Sequence, residues 1–169
     1  SNAPTNGYFL SAQSGNTGGL TWAEAGGGLT LATSVNTTSG TQINFTGIPA
    51  GVNRITVMFS LVRLDSSNPI LVQIGDSGGI EDSGYASSSS DHNGGGASTS
   101  SFTIFRDGGN DKLSGQMFLT RITGNQWVSG HSMSKDTNGE TATGGGTKTL
   151  SGELTQLRIT SGGAGGTLN

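Results

Sequence analysis

The side chains with the greatest capacity for chemistry lie between Asp76 and Ser101, where carboxylates, an imidazole and a phenol stand among serines and glycines. Aromatic rings stack on sugar rings, and Asp or Asn side chains hydrogen-bond to sugar hydroxyls. A loop of this length in a compact domain is often functional. We therefore predict a ligand-binding loop, whose candidate contacts are Tyr85, Asp91, His92 and Asn93.

The same segment does not match the spacing of known metal or catalytic motifs. Neither His92 nor His131 has a His or Cys partner two or four positions away, as a zinc site prefers, and we expect both histidines to be solvated in loops. Four nearby acids do not follow a calcium-loop pattern: Asp76, Glu81, Asp82 and Asp91. No Gly-x-Ser-x-Gly elbow or phosphate loop is present. We predict no catalytic residue, no metal, no cofactor and no enzymatic activity.

The composition favours a folded β protein. Glycine accounts for 31 of 169 residues, and each would cost a helix about 1 kcal/mol relative to Ala. Only 11% of the residues are charged, which is unlike a disordered chain. The net charge of −3 gives no reason to expect nucleic acid or membrane as a partner, and the absence of Cys excludes disulfides.

Short alternating apolar runs indicate many strands. The clearest run lies within Arg54–Leu64. A hairpin is predicted around Gly124-Asn125, with strands at Gln116–Ile122 and Asn125–Ser129. Long polar loops are expected at Asp76–Ser101 and Lys135–Thr147, and a first strand at Leu29–Val35. We predict an all-β, antiparallel two-sheet sandwich of jelly-roll type. Its expected core comprises Ile43, Phe45, Ile55, Val57, Phe59, Leu61, Val72, Ile74, Phe102, Ile104, Phe118, Trp127, Leu154, Leu157 and Ile159.

Three parts are expected along the chain. Ser1-Asn2-Ala3 is typical of an expression-tag scar. Residues 4–28 form a connector with two apolar anchors, and end in Gly26-Gly27-Gly28, which is typical of a flexible joint. Residues 29–169 form a single sandwich domain, and the whole is expected to be a fragment of a longer protein.

Several segments resemble a module at the C-terminal end of bacteriophage tail proteins, including tail fibres and prophage relatives. The residues that carry the resemblance lie between about 20 and 160, and the most specific are Phe-Thr-Gly-Ile-Pro at Phe45–Pro49 and Gln-Ile-Gly-Asp-Ser-Gly-Gly at Gln73–Gly79. Gly-Asn-Gln-Trp-Val at Gly124–Val128 continues the order. Relatives usually end in a further strand with a Phe-Asp-Ala-Gly type motif, which Ser161–Asn169 lacks, so a closing strand is expected to be missing or disordered.

The resemblance implies a virion protein, made in the bacterial cytoplasm, that forms a homotrimer attached to the rest of the tail protein. It implies a receptor-binding role towards a host cell-surface polysaccharide, and carries no catalytic residue across. Two alternatives stay open: a purely structural assembly or trimer-capping module without a ligand, and a polysaccharide-degrading or sugar-binding module.

Overall fold

A computed structural model describes residues 8–15, 17–24, 29–38, 40–104, 111–137, 139–163 and 166–169. The chain divides into two compact units, one ending at Ser34 and one extending from Val35 to Asn169. The tag residues Ser1-Asn2-Ala3 and the expected joint Gly26-Gly27-Gly28 lie outside the described residues.

The described part of the chain is all β. Its thirteen strands are β1 (Tyr8–Ala12), β2 (Leu20–Glu24), β3 (Gln42–Thr46), β4 (Arg54–Val62), β5 (Ile70–Asp76), β6 (Gly79–Ile80), β7 (Tyr85–Ser90), β8 (Gly95–Ser98), β9 (Phe102–Ile104), β10 (Leu113–Thr123), β11 (Gln126–Lys135), β12 (Thr141–Thr149) and β13 (Gln156–Ser161). Every strand pairing is antiparallel. These residues include no helix that is long and apolar enough to cross a membrane.

The larger unit is a β-sandwich, as the sequence predicted. One sheet has six strands in the order β4-β10-β11-β12-β7-β8, and the other has the order β3-β13-β5-β6 with β9 also paired to β5. A single apolar cluster lies between them, with Ile70, Ile74, Phe102, Leu119 and Trp127 among its members. The jelly-roll connectivity stays a prediction.

Alternation explains most of the core, but two of the predicted core residues point outward. In β10 the apolar run Met117-Phe118-Leu119 buries its first and third members, so Phe118 lies on the outer face under the guanidinium of Arg54. Leu61 is exposed because the β4–β10 register shifts beside it and its φ is +54°. Both predictions were wrong because the sequence did not show which face of the strand each residue occupies. At Phe118 the apolar run is uninterrupted, and at Leu61 a β-bulge changes the alternation.

Three other element predictions need correction. The expected loop Asp76–Ser101 contains β6, β7 and β8, and the expected loop Lys135–Thr147 contains most of β12. Conversely, Leu29–Val35 forms no strand. The Ser and Gly residues of β7 and β12 give no hydrophobic alternation, although Tyr85, Ser87 and Ser89 alternate with exposed neighbours in burial.

The C-terminal residues 166–169 contact the sandwich through a single β-bridge and form no strand of their own. Leu168 is buried and forms a β-bridge with Leu64. The backbones of Asn169 and Arg63 exchange two hydrogen bonds of 2.8 and 2.9 Å. These contacts cover one corner of the core without a full-length strand.

The N-terminal unit is a hairpin of β1 and β2 followed by an extended segment. The two apolar anchors expected in the connector pair with each other, with Leu10 opposite Trp22 and Ala12 opposite Leu20. Residues 29–38 run without strand pairing, and the side chains of Leu29 and Leu31 are 98% and 82% exposed.

Tyr85 links the two sheets through the core. Its hydroxyl accepts a hydrogen bond of 2.8 Å from the Ile74 backbone N–H and lies 2.9 Å from the Glu81 carbonyl oxygen, to which it donates. Its ring packs edge-on against Phe102 with centroids 5.0 Å apart. Only 3% of the residue is exposed, so Tyr85 is a core residue and not the surface contact predicted from the sequence.

We expect Tyr85→Phe to lower the free energy of unfolding by about 1–3 kcal/mol, because the Ile74 N–H loses its acceptor in a buried site. Urea denaturation followed by circular dichroism measures the change. Tyr8→Phe, at the other tyrosine of the chain, is the control and should leave the sandwich transition in place. Equal midpoints for Tyr85→Phe and the parent chain would contradict the cross-sheet role.

Candidate functional site

Three rows of side chains cross β11, β12 and β7 on the inner face of the six-stranded sheet. The pairing places Trp127 beside Lys148 and Tyr85, Ser129 beside Gly146 and Ser87, and His131 beside Gly144 and Ser89. Because β12 contributes glycine to two of these rows, side chains from β11 and β7 can approach each other over its backbone. The small residues of β12 thus position polar groups inside the sandwich.

The His131 row shows the effect directly. His131 Nε2 lies 3.0 Å from Ser89 Oγ, and Ser89 Oγ donates to the Thr143 carbonyl oxygen at 3.1 Å. A Cβ on Gly144 would lie 2.6 Å from His131 Cε1, which shows that the imidazole occupies the space above this glycine. His131 is therefore buried in a strand, and the expectation that it is solvated in a loop was wrong.

This Ser–His pair lacks the geometry of a hydrolytic nucleophile. Both residues are buried, and His131 Nδ1 has no hydrogen-bond partner among the described residues, so no carboxylate orients the ring. Burial also lowers the pKa of the His131 imidazole from its ordinary 6.5 to about 4. The pair is a neutral hydrogen bond of the core at neutral pH.

A buried charge cluster lies where β11 ends. The Lys135 side chain is fully buried, and its Nζ contacts Asp91 Oδ2, lies 3.1 Å from Glu140 Oε2 and lies 3.9 Å from Asp111 Oδ2. The Asp91 side chain is also fully buried. We name Lys135, Asp91, Asp111 and Glu140 the lysine cluster; it joins the β7–β8 turn to the β11–β12 turn.

The turn between β7 and β8 is held by Asp91. Asp91 Oδ1 accepts hydrogen bonds from the backbone N–H groups of Asn93, at 2.8 Å, and Gly94, at 3.1 Å. Asn93 Nδ2 donates to both carboxylate oxygens of Glu140, at 3.1 and 3.3 Å. His92 is exposed at the apex.

Two shallow polar clefts adjoin this turn. One is lined by Ser90, Asp91, His92, Gly139, Glu140, Thr141 and Thr143. The other is lined by Ser88, Ser89, Ser90, Gly95, Gly96, Thr143 and Gly144. Because Ser90 and Thr143 belong to both, the clefts form one continuous surface, which we name the tip surface. It offers hydroxyl, imidazole, carboxylate and backbone groups, and neither lining includes Phe, Tyr or Trp.

The structure separates the four predicted ligand contacts. Tyr85 lies in the core and the Asp91 carboxylate is sequestered by Lys135, whereas His92 and Asn93 are exposed at the turn. Only His92 and Asn93 are thus placed to touch a ligand with their side chains. Stacking of a sugar on Tyr85 is excluded by its burial.

Sequence reasoning missed Lys135 and Glu140. A usable signal existed, because Trp127, Ser129, His131, Met133 and Lys135 all occupy one face of β11 at a period of two. The predicted strand stopped at Ser129, because the polar residues that follow were taken as loop. Glu140 carries no such signal, since its role depends on contacts with distant residues.

A second buried lysine has a different environment. Lys148 Nζ contacts Glu81 Oε2 and lies 5.4 Å from the centre of the Tyr85 ring. Ser151 donates to Glu81 Oε1 through its backbone N–H and its hydroxyl, both at 2.8 Å. Although partial burial opposes it, hydrogen bonding by Lys148 and Ser151 lowers the pKa of Glu81. This pair is a salt bridge with a firmly ionised carboxylate.

No family model, curated protein or solved structure matched this chain in the three comparisons. Within the described ranges, no three His, Cys, Asp or Glu side chains are grouped so that they could hold a metal ion. The geometry of the tip surface and of the two lysine sites therefore carries the functional argument.

We expect the stability of the sandwich to fall as the pH drops from 6.5 towards 4. Because burial depresses the His131 pKa in the folded chain, the unfolded chain binds more protons in this window, and stability is complete above pH 6.5. The loss is at most about 1.4 kcal/mol per pH unit. Urea denaturation at a series of pH values measures it.

His131→Gln should flatten this pH dependence, whereas His92→Gln, at the other histidine of the chain, should preserve it because His92 is exposed. The same slope in His131→Gln as in the parent chain would show that other groups cause the acid sensitivity.

Proposed function

We propose that this chain is a distal module of a bacteriophage tail or tail-fibre protein that assembles as a homotrimer and presents its tip surface to a bacterial surface polysaccharide. The resemblance of its sequence segments to tail modules motivates the proposal. The observation that carries the assembly part is the exposed apolar surface of the N-terminal unit. The β-sandwich supplies the rigid support on which a recognition surface depends.

One face of the β1–β2 hairpin is largely apolar, although the register also pairs Tyr8 with Glu24 at the end of the hairpin. Strand alternation and register place Tyr8, Leu10, Ala12, Leu20 and Trp22 on this face. Leu10 and Leu20 are each about half exposed, at 52% and 51%. An isolated two-stranded hairpin is marginally stable in water, so a partner that covers this face would stabilise it.

The low charge of the segment before Arg54 favours identical copies as that partner. The only charged side chain before Arg54 is Glu24. Packing around a symmetry axis brings each residue close to its own copies, and like charges there would repel. A segment with one charged residue keeps this repulsion small, and the exposed side chains of Leu29 and Leu31 add apolar area after the hairpin.

The tip surface suits a hydroxyl-rich ligand. Ser, Thr, His and Glu side chains along adjoining clefts provide both donors and acceptors, as sugar hydroxyls require. Because the cleft linings contain no Phe, Tyr or Trp on which a sugar could stack, the affinity for one sugar unit would be low. Three copies on one fibre would raise the overall affinity for a polysaccharide through avidity. A module with an assembly role alone is the competing proposal.

We expect light scattering to give the mass of a trimer for the intact chain. The double variant Leu29→Ser with Leu31→Ser should have the mass of a monomer, because it removes exposed apolar surface next to the hairpin in sequence. Met58→Ser, at an exposed apolar residue of β4, is the matched control and should stay trimeric. Dissociation in the Met58→Ser variant but not in the double variant would place the interface on the sandwich instead.

Adsorption to host cells tests the tip surface. We expect His92→Ala combined with Thr141→Ala to reduce adsorption at least several-fold, because both side chains line the same cleft. Thr141 begins β12 and the exposed Thr149 ends it, so Thr149→Ala is the control and should leave adsorption unchanged. Normal adsorption by correctly assembled fibres that carry the double change would favour the assembly-only module.

A further inference from the structure

Lys135 and Asp91 combine a buried amine with a buried carboxyl group. Both side chains are fully excluded from solvent, and Nζ contacts Oδ2. Burial disfavours the charged form of each group, so transfer of a proton from the ammonium to the carboxylate becomes less costly than in water. The products of that transfer are an amine nucleophile and a carboxylic acid held side by side, an arrangement that greatly raises their effective concentration.

The other oxygen of Asp91 faces two fixed donors. Asn93 N–H and Gly94 N–H lie 2.8 and 3.1 Å from Oδ1. Attack on the carboxyl carbon would move negative charge onto Oδ1, and backbone donors at this distance stabilise such a charge. The turn is therefore preorganised for addition at Asp91 Cγ.

Glu140 is placed to carry protons between the two groups. Its Oε2 lies 3.1 Å from Lys135 Nζ, and Asn93 Nδ2 holds the carboxylate in position. The backbone hydrogen bond from Lys135 N–H to the Glu140 carbonyl oxygen, at 2.9 Å, fixes the two residues relative to each other. A carboxylate at hydrogen-bond distance from a nucleophile can act as a general base and then as a general acid.

We infer that the folded chain joins Lys135 Nζ to Asp91 Cγ in an intramolecular amide, an isopeptide bond, with Glu140 as the proton carrier. The ammonium first gives a proton to Asp91 Oδ2. The amine then attacks Cγ, the C–N bond forms, and the carbonyl electron pair moves to Oδ1. Glu140 takes a proton from the nitrogen and delivers it to the Oδ2 hydroxyl, which leaves as water when the C–O bond breaks. The reaction releases one water and needs no oxidant or cofactor.

The Lys148–Glu81 pair differs from the lysine cluster in burial. Two hydrogen bonds from Ser151 hold Glu81 Oε1, as two backbone donors hold Asp91 Oδ1. The Glu81 side chain is 22% exposed, whereas that of Asp91 is fully buried, so water stabilises the ionised form of Glu81 and its carboxylate resists attack by an amine. The Lys148 pair therefore stays a salt bridge and serves as an internal comparison.

The amide would fasten two strands that are not neighbours. Asp91 directly follows β7 and Lys135 ends β11, and β12 lies between these strands in the sheet. The bond would close a covalent loop between positions 44 apart in the sequence. In a chain without cysteine it would take the place that a disulfide holds in other β-sandwiches.

Intact-mass spectrometry of the purified full-length chain in denaturant tests this inference. We expect a mass lower than the sequence mass by one water, and a branched peptide in a tryptic digest in which Lys135 resists cleavage and is linked to the peptide that contains Asp91. The full sequence mass, after long incubation of folded protein, would show that the pair is a salt bridge only. Loss of water without the branched peptide would equally overturn the inference.

Three variants sharpen the test. Asp91→Asn should release ammonia instead of water and yield a product of the same mass as the cross-linked parent chain. Glu140→Gln should retain the linear mass while its circular-dichroism spectrum stays that of a β protein, and loss of water in this variant would refute the proton-carrier role. Glu81→Gln, at the comparison pair, should still lose one water, and a linear mass for folded Glu81→Gln would count against a reaction confined to the lysine cluster.

Discussion

The interior of this sandwich has to be filled although hydrophobic residues make up only 30% of the chain. Part of the inner face is therefore polar, and each buried polar group needs a partner because an unpaired one is costly. Tyr85 meets this requirement across the two sheets, and His131 Nε2 and Ser89 Oγ meet it within one sheet. Three buried atoms do not meet it among the described residues: Trp127 Nε1, Ser129 Oγ and His131 Nδ1. The lysine cluster meets it with three carboxylates around one amine. The groups to which we assign a reaction, Lys135, Asp91 and Glu140, belong to these internal contacts.

Glycine makes the internal contacts possible. The middle of β12 presents Gly144 and Gly146 to the interior. A larger residue at either position would keep the side chains of β11 and β7 from meeting over the β12 backbone. His131 can then lie over Gly144 and reach Ser89. The high glycine content thus has two uses: some glycines form turns, and others allow side chains of non-adjacent strands to meet.

The sequence predicted the fold class because apolar alternation marks β4, β5 and the β10–β11 hairpin. It failed for β7 and β12, since their inward residues are mostly Ser and Gly and carry no hydrophobic signal. It also failed for Phe118, where three consecutive apolar residues leave the phase undefined. The candidate site was predicted only in part: Asp91, His92 and Asn93 were named as candidate contacts, but Lys135 at the end of β11 and Glu140 just before β12 are distant in sequence and meet them only through the strand register.

The lysine cluster and the tip surface occupy the same turn region, so buried side chains held by several contacts lie next to exposed ones. Asp91 faces inward to Lys135, while the adjacent His92 is exposed. Asn93 joins the two by holding Glu140. Under the proposed role, the tip surface would lose little conformational freedom on binding a ligand, which favours affinity even in shallow clefts.

The two ends of the sandwich lie side by side. Leu168 N–H donates to the Gly40 carbonyl oxygen at 2.8 Å, close to the bridge between Leu168 and Leu64. Tension applied through these ends would load that corner first and open its hydrogen bonds one after another, while the six-stranded sheet would bear little of the force.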